Sequence, residues 1–114
     1  ISSHRKMAAG YGHVYVSGEE GVLHALDQDT GTESWKQDGL LRRGVTGPAV
    51  FGPYVAVADA EGWLHVFAQS DGRPIARTRV DRSGVRVAPL GLGDRVLIQG
   101  NGGRLAVYAL ESAN

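Results

Sequence analysis

The sequence predicts an all-β chain built from a repeated four-stranded antiparallel unit, and three observations carry that prediction. Gly occupies 17 of 114 positions, about twice the ordinary share, which demands many turns and argues against a helical bundle. No segment shows the 3.6-residue apolar period of an amphipathic helix. The chain also matches itself without a gap at a shift of 41 residues, which aligns Gly21 with Gly62 and Gly103, Leu23 with Leu64 and Leu105, and Val14 with Val55 and Val96. Such self-similarity marks an architecture in which each unit buries its faces against its neighbours.

The middle copy shows the elements in order. Its extended segments are 47–51, 54–58, 63–68 and 74–79, each rich in β-branched or aromatic side chains. The second and third are joined by four residues ending in glycine: Asp59-Ala60-Glu61-Gly62, matched by Gly18-Glu19-Glu20-Gly21 before it and Gly100-Asn101-Gly102-Gly103 after it. A type I turn closed by a residue at positive φ needs glycine there, because a Cβ would clash. In Leu23-His24-Ala25-Leu26 and Leu64-His65-Val66-Phe67 both faces of the strand are largely apolar, as in a sheet covered on both sides. Radial stacking of such sheets gives a β-propeller, whereas a flat sandwich requires no constant period. The chain supplies about two and three-quarter blades, fewer than the roughly four of the smallest closed ring. The expectation is therefore a partial β-propeller, one propeller fragment over residues 1–114. Its repeat units run approximately over 5–45, 46–86 and 87–114, the last lacking its outer strand. It reads as a piece of a longer protein, whose remaining blades, or another copy of the chain, would complete the ring or its edge.

Composition narrows the chemistry. Twelve Lys and Arg balance twelve Asp and Glu, leaving no field to draw in nucleic acid or an anionic membrane. No apolar run approaches the ~18 residues of a membrane span, and the absence of cysteine removes disulfides, thiolate metal sites and a nucleophilic thiol. His24 and His65 hold the same repeat position, but on sheets about 10 Å apart they cannot both reach one ion at about 2 Å. Each is expected to pack between blades with one ring nitrogen satisfied. Asp27-Gln28-Asp29 begins like a calcium loop, yet the Gly and Glu that such a loop needs further on are missing. Neither Gly91-Leu92-Gly93 nor Gly100-Asn101-Gly102-Gly103 opens a helix that could hold phosphate. No catalytic, cofactor or metal residue is assigned, and a non-enzymatic reading follows.

Two surface features remain. Arg73, Arg77, Arg79, Arg82 and Arg86 are offset within their span only by Asp81. Alternation puts Arg77 and Arg79 on one face of an outermost strand, where charge discourages edge-to-edge pairing; that reading is preferred to an anionic partner. Leu40, Leu41, Arg42 and Arg43 link an outer strand to the next inner strand. Loops on a rigid scaffold carry function, and apolar anchors beside Arg match the composition of interface hot spots, so this is the candidate protein-docking loop. The alternative is that Leu40 and Leu41 tuck between blades.

The string Ala25-Leu26-Asp27-Gln28-Asp29-Thr30-Gly31-Thr32-Glu33-Ser34-Trp35 resembles the repeat signature of the pyrroloquinoline-quinone-like (PQQ-like) propellers. Its structural positions are Asp27, Thr30, Gly31 and Trp35, alongside the hairpin glycines Gly21, Gly62 and Gly103. Asp27 or Asp29 can accept backbone N–H bonds in the turn, Gly31 permits the reversal, and Trp35 is large enough to clamp one blade onto the next. The second copy keeps Asp71-Gly72 but has Ala76 in the place of Trp35. Beyond this signature, Asp38-Gly39-Leu40-Leu41-Arg42-Arg43, Ala58-Asp59-Ala60-Glu61-Gly62-Trp63-Leu64-His65, Val80-Asp81-Arg82-Ser83-Gly84 and Leu97-Ile98-Gln99 resemble the C-terminal blades of the BamB family of outer-membrane protein assembly factors. The resemblance runs from about Val14 to Leu110. It implies a lipoprotein scaffold on the periplasmic side of a Gram-negative outer membrane, without a cofactor, that docks on the periplasmic domains of BamA, with the lipid-bearing cysteine on an N-terminal segment. Two other classes share the repeat: a fragment of a PQQ-dependent quinoprotein dehydrogenase, which needs quinone- and calcium-binding groups, and a periplasmic ligand-binding propeller.

Overall fold

The computed structural model describes residues 6–10, 12–18, 20–40 and 44–110. Among the described residues, eleven strands form three antiparallel sheets in chain order. The first contains β1 (Lys6–Gly10), β2 (His13–Ser17), β3 (Leu23–Asp27) and β4 (Glu33–Gln37); the second contains β5 (Ala49–Phe51), β6 (Tyr54–Ala58), β7 (Trp63–Ala68) and β8 (Pro74–Arg79). The third contains β9 (Leu90–Leu92), β10 (Arg95–Gln99) and β11 (Leu105–Ala109). This is the all-β partial propeller that the repeat implies. The inner strand β5 is shorter than the segment 47–51 because Pro48 has no N–H to give to a ladder.

The same local devices recur in each sheet. The N–H of Gly21, Gly62 and Gly103 donates to the carbonyl of Gly18, Asp59 and Gly100 at 3.1, 3.0 and 3.0 Å, with the glycines at φ of 88°, 92° and 90°. The outer strands join through register shifts at equivalent places, Ala25/Leu26 in one sheet and Val66/Phe67 in the next. A bulge there increases the twist of the outer strand.

Alternation along the central sheet decides which side chain meets which neighbour. Val55, Val57 and Phe67 pack with Tyr15, Leu23 and Ala25 of the first sheet. The intervening Ala56, Ala58, Leu64 and Val66 pack with Val96 and Ile98 of the third, under Val80 and Val85. Full burial of such an aliphatic side chain contributes about 1.5–3 kcal/mol, so the two inter-sheet layers hold the fragment together. On the far face of the third sheet Leu105 and Val107 are 65% and 52% exposed, while Ala106 and Tyr108 point inward against the core.

Candidate interaction surface

The loop between β4 and β5 enters and leaves on fixed residues. Leu40 is 4% exposed and belongs to the apolar layer of Val55, Val57 and Phe67; of the four residues of the candidate docking loop it is a packing residue. Leu41, Arg42 and Arg43 lie outside the described residues. On the exit side, Thr46 ties both sheets together. Its N–H donates to the Ala58 carbonyl at 2.8 Å, its hydroxyl oxygen accepts the Ala58 N–H at 3.1 Å, and its carbonyl accepts the Ser17 hydroxyl at 3.0 Å.

The opposite end of the sheets carries the Trp35 clamp that the repeat signature implies. The indole N–H donates to the Gln69 carbonyl at 2.9 Å, and the ring lies so close over Gly72 that a Cβ there would come within 2.4 Å of it. Gln69 itself was not legible as a structural residue. It is 3% exposed, its amide donates to the carbonyls of Gly52 and Tyr54 at 2.9 and 3.1 Å, and its side-chain oxygen accepts the Tyr15 hydroxyl at 2.9 Å. The available signal was the spacing of Gln28 and Gln69, which matches the repeat. Where Ala76 replaces the clamp, a cavity of about 130 Å³ remains, lined by Phe51, Leu64, Val66, Thr78, Tyr108 and Leu110 among others.

The two repeated histidines each engage a carboxylate. His65 Nε2 lies 2.7 Å from Asp59 Oδ2 inside the fold, and His24 Nδ1 lies 2.6 Å from Glu33 Oε1 near the surface. Among the described residues no group of three or more His, Cys, Asp or Glu is placed to hold a metal ion.

Comparison with known proteins decides the family. The family model described as outer membrane protein assembly factor BamB matches residues 19–114. The chain belongs to the BamB family. A BamB of Pseudomonas aeruginosa is 43% identical over 109 residues, 96% of this chain and 29% of that protein. The chain thus spans less than a third of the length of that relative. The crystal structure of BamB from Moraxella catarrhalis superposes over 100% of this chain and 34% of its own, with a TM-score of 0.86 and 26% identity. A quinohemoprotein alcohol dehydrogenase from Comamonas testosteroni superposes with a TM-score of 0.72 at 22% identity, covering 91% of this chain and 19% of that one; this likeness is one of fold.

In this BamB-family chain the turn aspartates are structural acceptors. Of Asp27 and Asp29 it is Asp27 that accepts, taking the N–H of Asp29 and Thr30 at 2.8 and 2.9 Å. These bonds, that of Thr30 foremost, hold its carboxyl below the ordinary 3.8. The backbone N–H of Arg73 does the same for Asp71, and that of Ser83, with Gly102, for Asp81. Because folding lowers these carboxyl pKa values, their contribution is complete above the unfolded value of 3.8 and is lost as pH falls through the folded values. Replacing Asp27, Asp71 and Asp81 with Asn keeps an acceptor oxygen but removes the titration. The melting temperature of the triple variant should fall less steeply with acid than that of the parent; parallel curves would show that these turns do not govern acid stability.

Proposed function

We infer that this chain forms part of a non-enzymatic scaffold subunit of the outer-membrane β-barrel assembly machinery, on the periplasmic side of a Gram-negative outer membrane. The observation that carries this reading is the match to the BamB family over most of the chain. The subunit is tethered by a lipid-bearing cysteine on an N-terminal segment, and the remaining blades of the same protein cover the exposed face of Leu105 and Val107. Its work is to hold loops in place rather than to turn over a substrate. Docking on the periplasmic domains of BamA uses Arg42 and Arg43, carried on a loop whose flank at Leu40 is seated in the core. Arginine is enriched among interface anchors, and the flanks of this loop at Leu40 and Thr46 are held by packing and by hydrogen bonds.

The test is capture of purified BamA periplasmic domains by the intact protein. Arg42→Glu with Arg43→Glu should weaken binding by at least about tenfold. Leu40→Ala should instead lower the melting temperature, as a packing residue does. Unchanged affinity of the arginine variant would remove this loop from the docking surface.

A further inference from the structure

The guanidinium groups of Arg77 and Arg79 both lie over the indole of Trp63, with Cζ 4.9 and 5.4 Å from the ring centroid. Both side chains are exposed, and neither makes an ion pair among the described residues. Arg73, by contrast, is paired with Asp71 at 3.1 Å. Stacking fixes the plane of a guanidinium while leaving its N–H fork free. The nearest acidic neighbour in sequence, Asp81, is engaged by the backbone N–H groups of Ser83 and Gly102. Beyond the end of β8, Arg79 continues into a cleft that Arg82 and Arg104 line together with Val80 and Asp81. The result is two oriented cations two residues apart, neither in an ion pair among the described residues.

The backbone of the same two residues faces outward. β8 is the edge strand of the second sheet, and its register pairs Arg79 with Trp63 and Arg77 with His65. The Val80 N–H reaches the Gly62 carbonyl at 2.7 Å, so along this ladder the pairs that exchange hydrogen bonds are those of Val80 and Thr78. Arg77 and Arg79 fall at the alternate pairs, where N–H and C=O point away from the partner strand. A strand laid antiparallel along this edge would bond to the backbone of Arg77 and Arg79, and its residues opposite them would share the guanidinium face at about 5.5 Å between Cα atoms. The residue between, opposite Thr78, would fall on the other face, beside the apolar cavity of Thr78, Tyr108 and Leu110.

We propose that β8 is a docking edge for an extended segment of a partner protein with acidic residues at alternate positions and an apolar residue between them. Cross-strand carboxylates opposite Arg77 and Arg79 would compensate both cations, while an apolar or basic strand would leave them unpaired. Protection of the edge and choice of partner are then the same device. In a closed ring the sheet faces are covered by neighbouring blades, but an outermost strand stays on the perimeter, so this site does not depend on the BamA contact.

The experiment uses fluorescence anisotropy on the intact protein with a labelled peptide of pattern Thr-Val-Glu-Val-Glu-Val-Thr. The Glu peptide should bind at least about tenfold more tightly than its Gln counterpart. N-methylation of its two Glu residues should abolish binding, and Arg77→Glu with Arg79→Glu should reverse the preference toward the Lys counterpart. Arg77→Gln with Arg79→Gln gives the same loss for the Glu peptide and guards against misfolding of the charge-reversed variant. Equal binding of Glu and Gln peptides, or undiminished binding of the N-methylated one, overturns the proposal. Arginine-dependent binding to phosphatidylglycerol vesicles with no binding to the peptide also overturns it and makes the surface a membrane contact.

Discussion

Gly62→Ala is expected to destabilise the protein by about 4 kcal/mol, and Gly103→Ala by only about 1 to 2 kcal/mol, although the two glycines close equivalent hairpins. Their backbone angles are nearly identical, 92° and 90°, so the penalty of placing an L side chain in the left-handed region is common to both. The surroundings differ. A Cβ on Gly62 would stand 1.6 Å from the carbonyl oxygen of Asp81, whereas one on Gly103 would meet nothing within 4 Å. That carbonyl cannot move aside cheaply. It accepts the Gly84 N–H at 3.0 Å, and the adjoining Val80 N–H holds the Gly62 carbonyl at 2.7 Å, so relief of the clash would pull the inter-sheet loop off the hairpin. Denaturant unfolding of the two single variants of the intact protein measures the difference. Equal losses would mean that backbone conformation alone selects glycine here and that the close approach of the loop carries no energy.

The comparison of these glycines also shows where sequence reading succeeds. A repeat makes a residue legible when the same physical demand recurs at the same offset, as for Gly21, Gly62 and Gly103 and for Gly31 and Gly72, each set at a shared positive φ; Trp35, which does not recur, was legible only through the signature it completes. The segments 54–58, 63–68 and 74–79 were legible for the same reason and coincide with β6, β7 and β8. What breaks the repeat is harder to see. Asp59 stands where the other copies have Gly18 and Gly100, so no recurrence advertised its burial. Gln69 did recur as Gln28, but a polar amide is ordinarily a surface residue, and only the meeting of two sheets reveals what it holds. The stacking of Arg77 and Arg79 on Trp63 required the register of β7 against β8, which depends on the bulge between Val66 and Phe67. Leu40 left two readings open, anchor or packing, and its seat in the apolar layer follows from the angle between sheets rather than from any local pattern.

Asp59→Ala is the second substitution expected to be severe, at about 3 to 5 kcal/mol. The residue is 0% exposed, and its carboxylate organises the hairpin that joins β6 to β7. One oxygen accepts the N–H groups of Glu61 and Trp63 at 2.9 and 3.0 Å, and the other meets His65 Nε2 at 2.7 Å. Its backbone is equally committed, with the carbonyl accepting from Gly62 and Val85 and the N–H donating to Trp63. Alanine leaves that backbone in place but strips the turn donors and a buried imidazole of their acceptor, and buried groups deprived of a partner lose their full desolvation free energy. Asn separates the two halves of the effect. It retains an oxygen for Glu61 and Trp63 but turns an N–H toward His65, which then has to accept rather than donate. Asp59→Asn should therefore lose roughly half of what Asp59→Ala loses. Chemical denaturation of both variants is the measurement. If Asn is as damaging as Ala, the histidine contact dominates and the turn bonds contribute little; if Asn is as stable as the parent, the pairing with His65 contributes nothing to the fold.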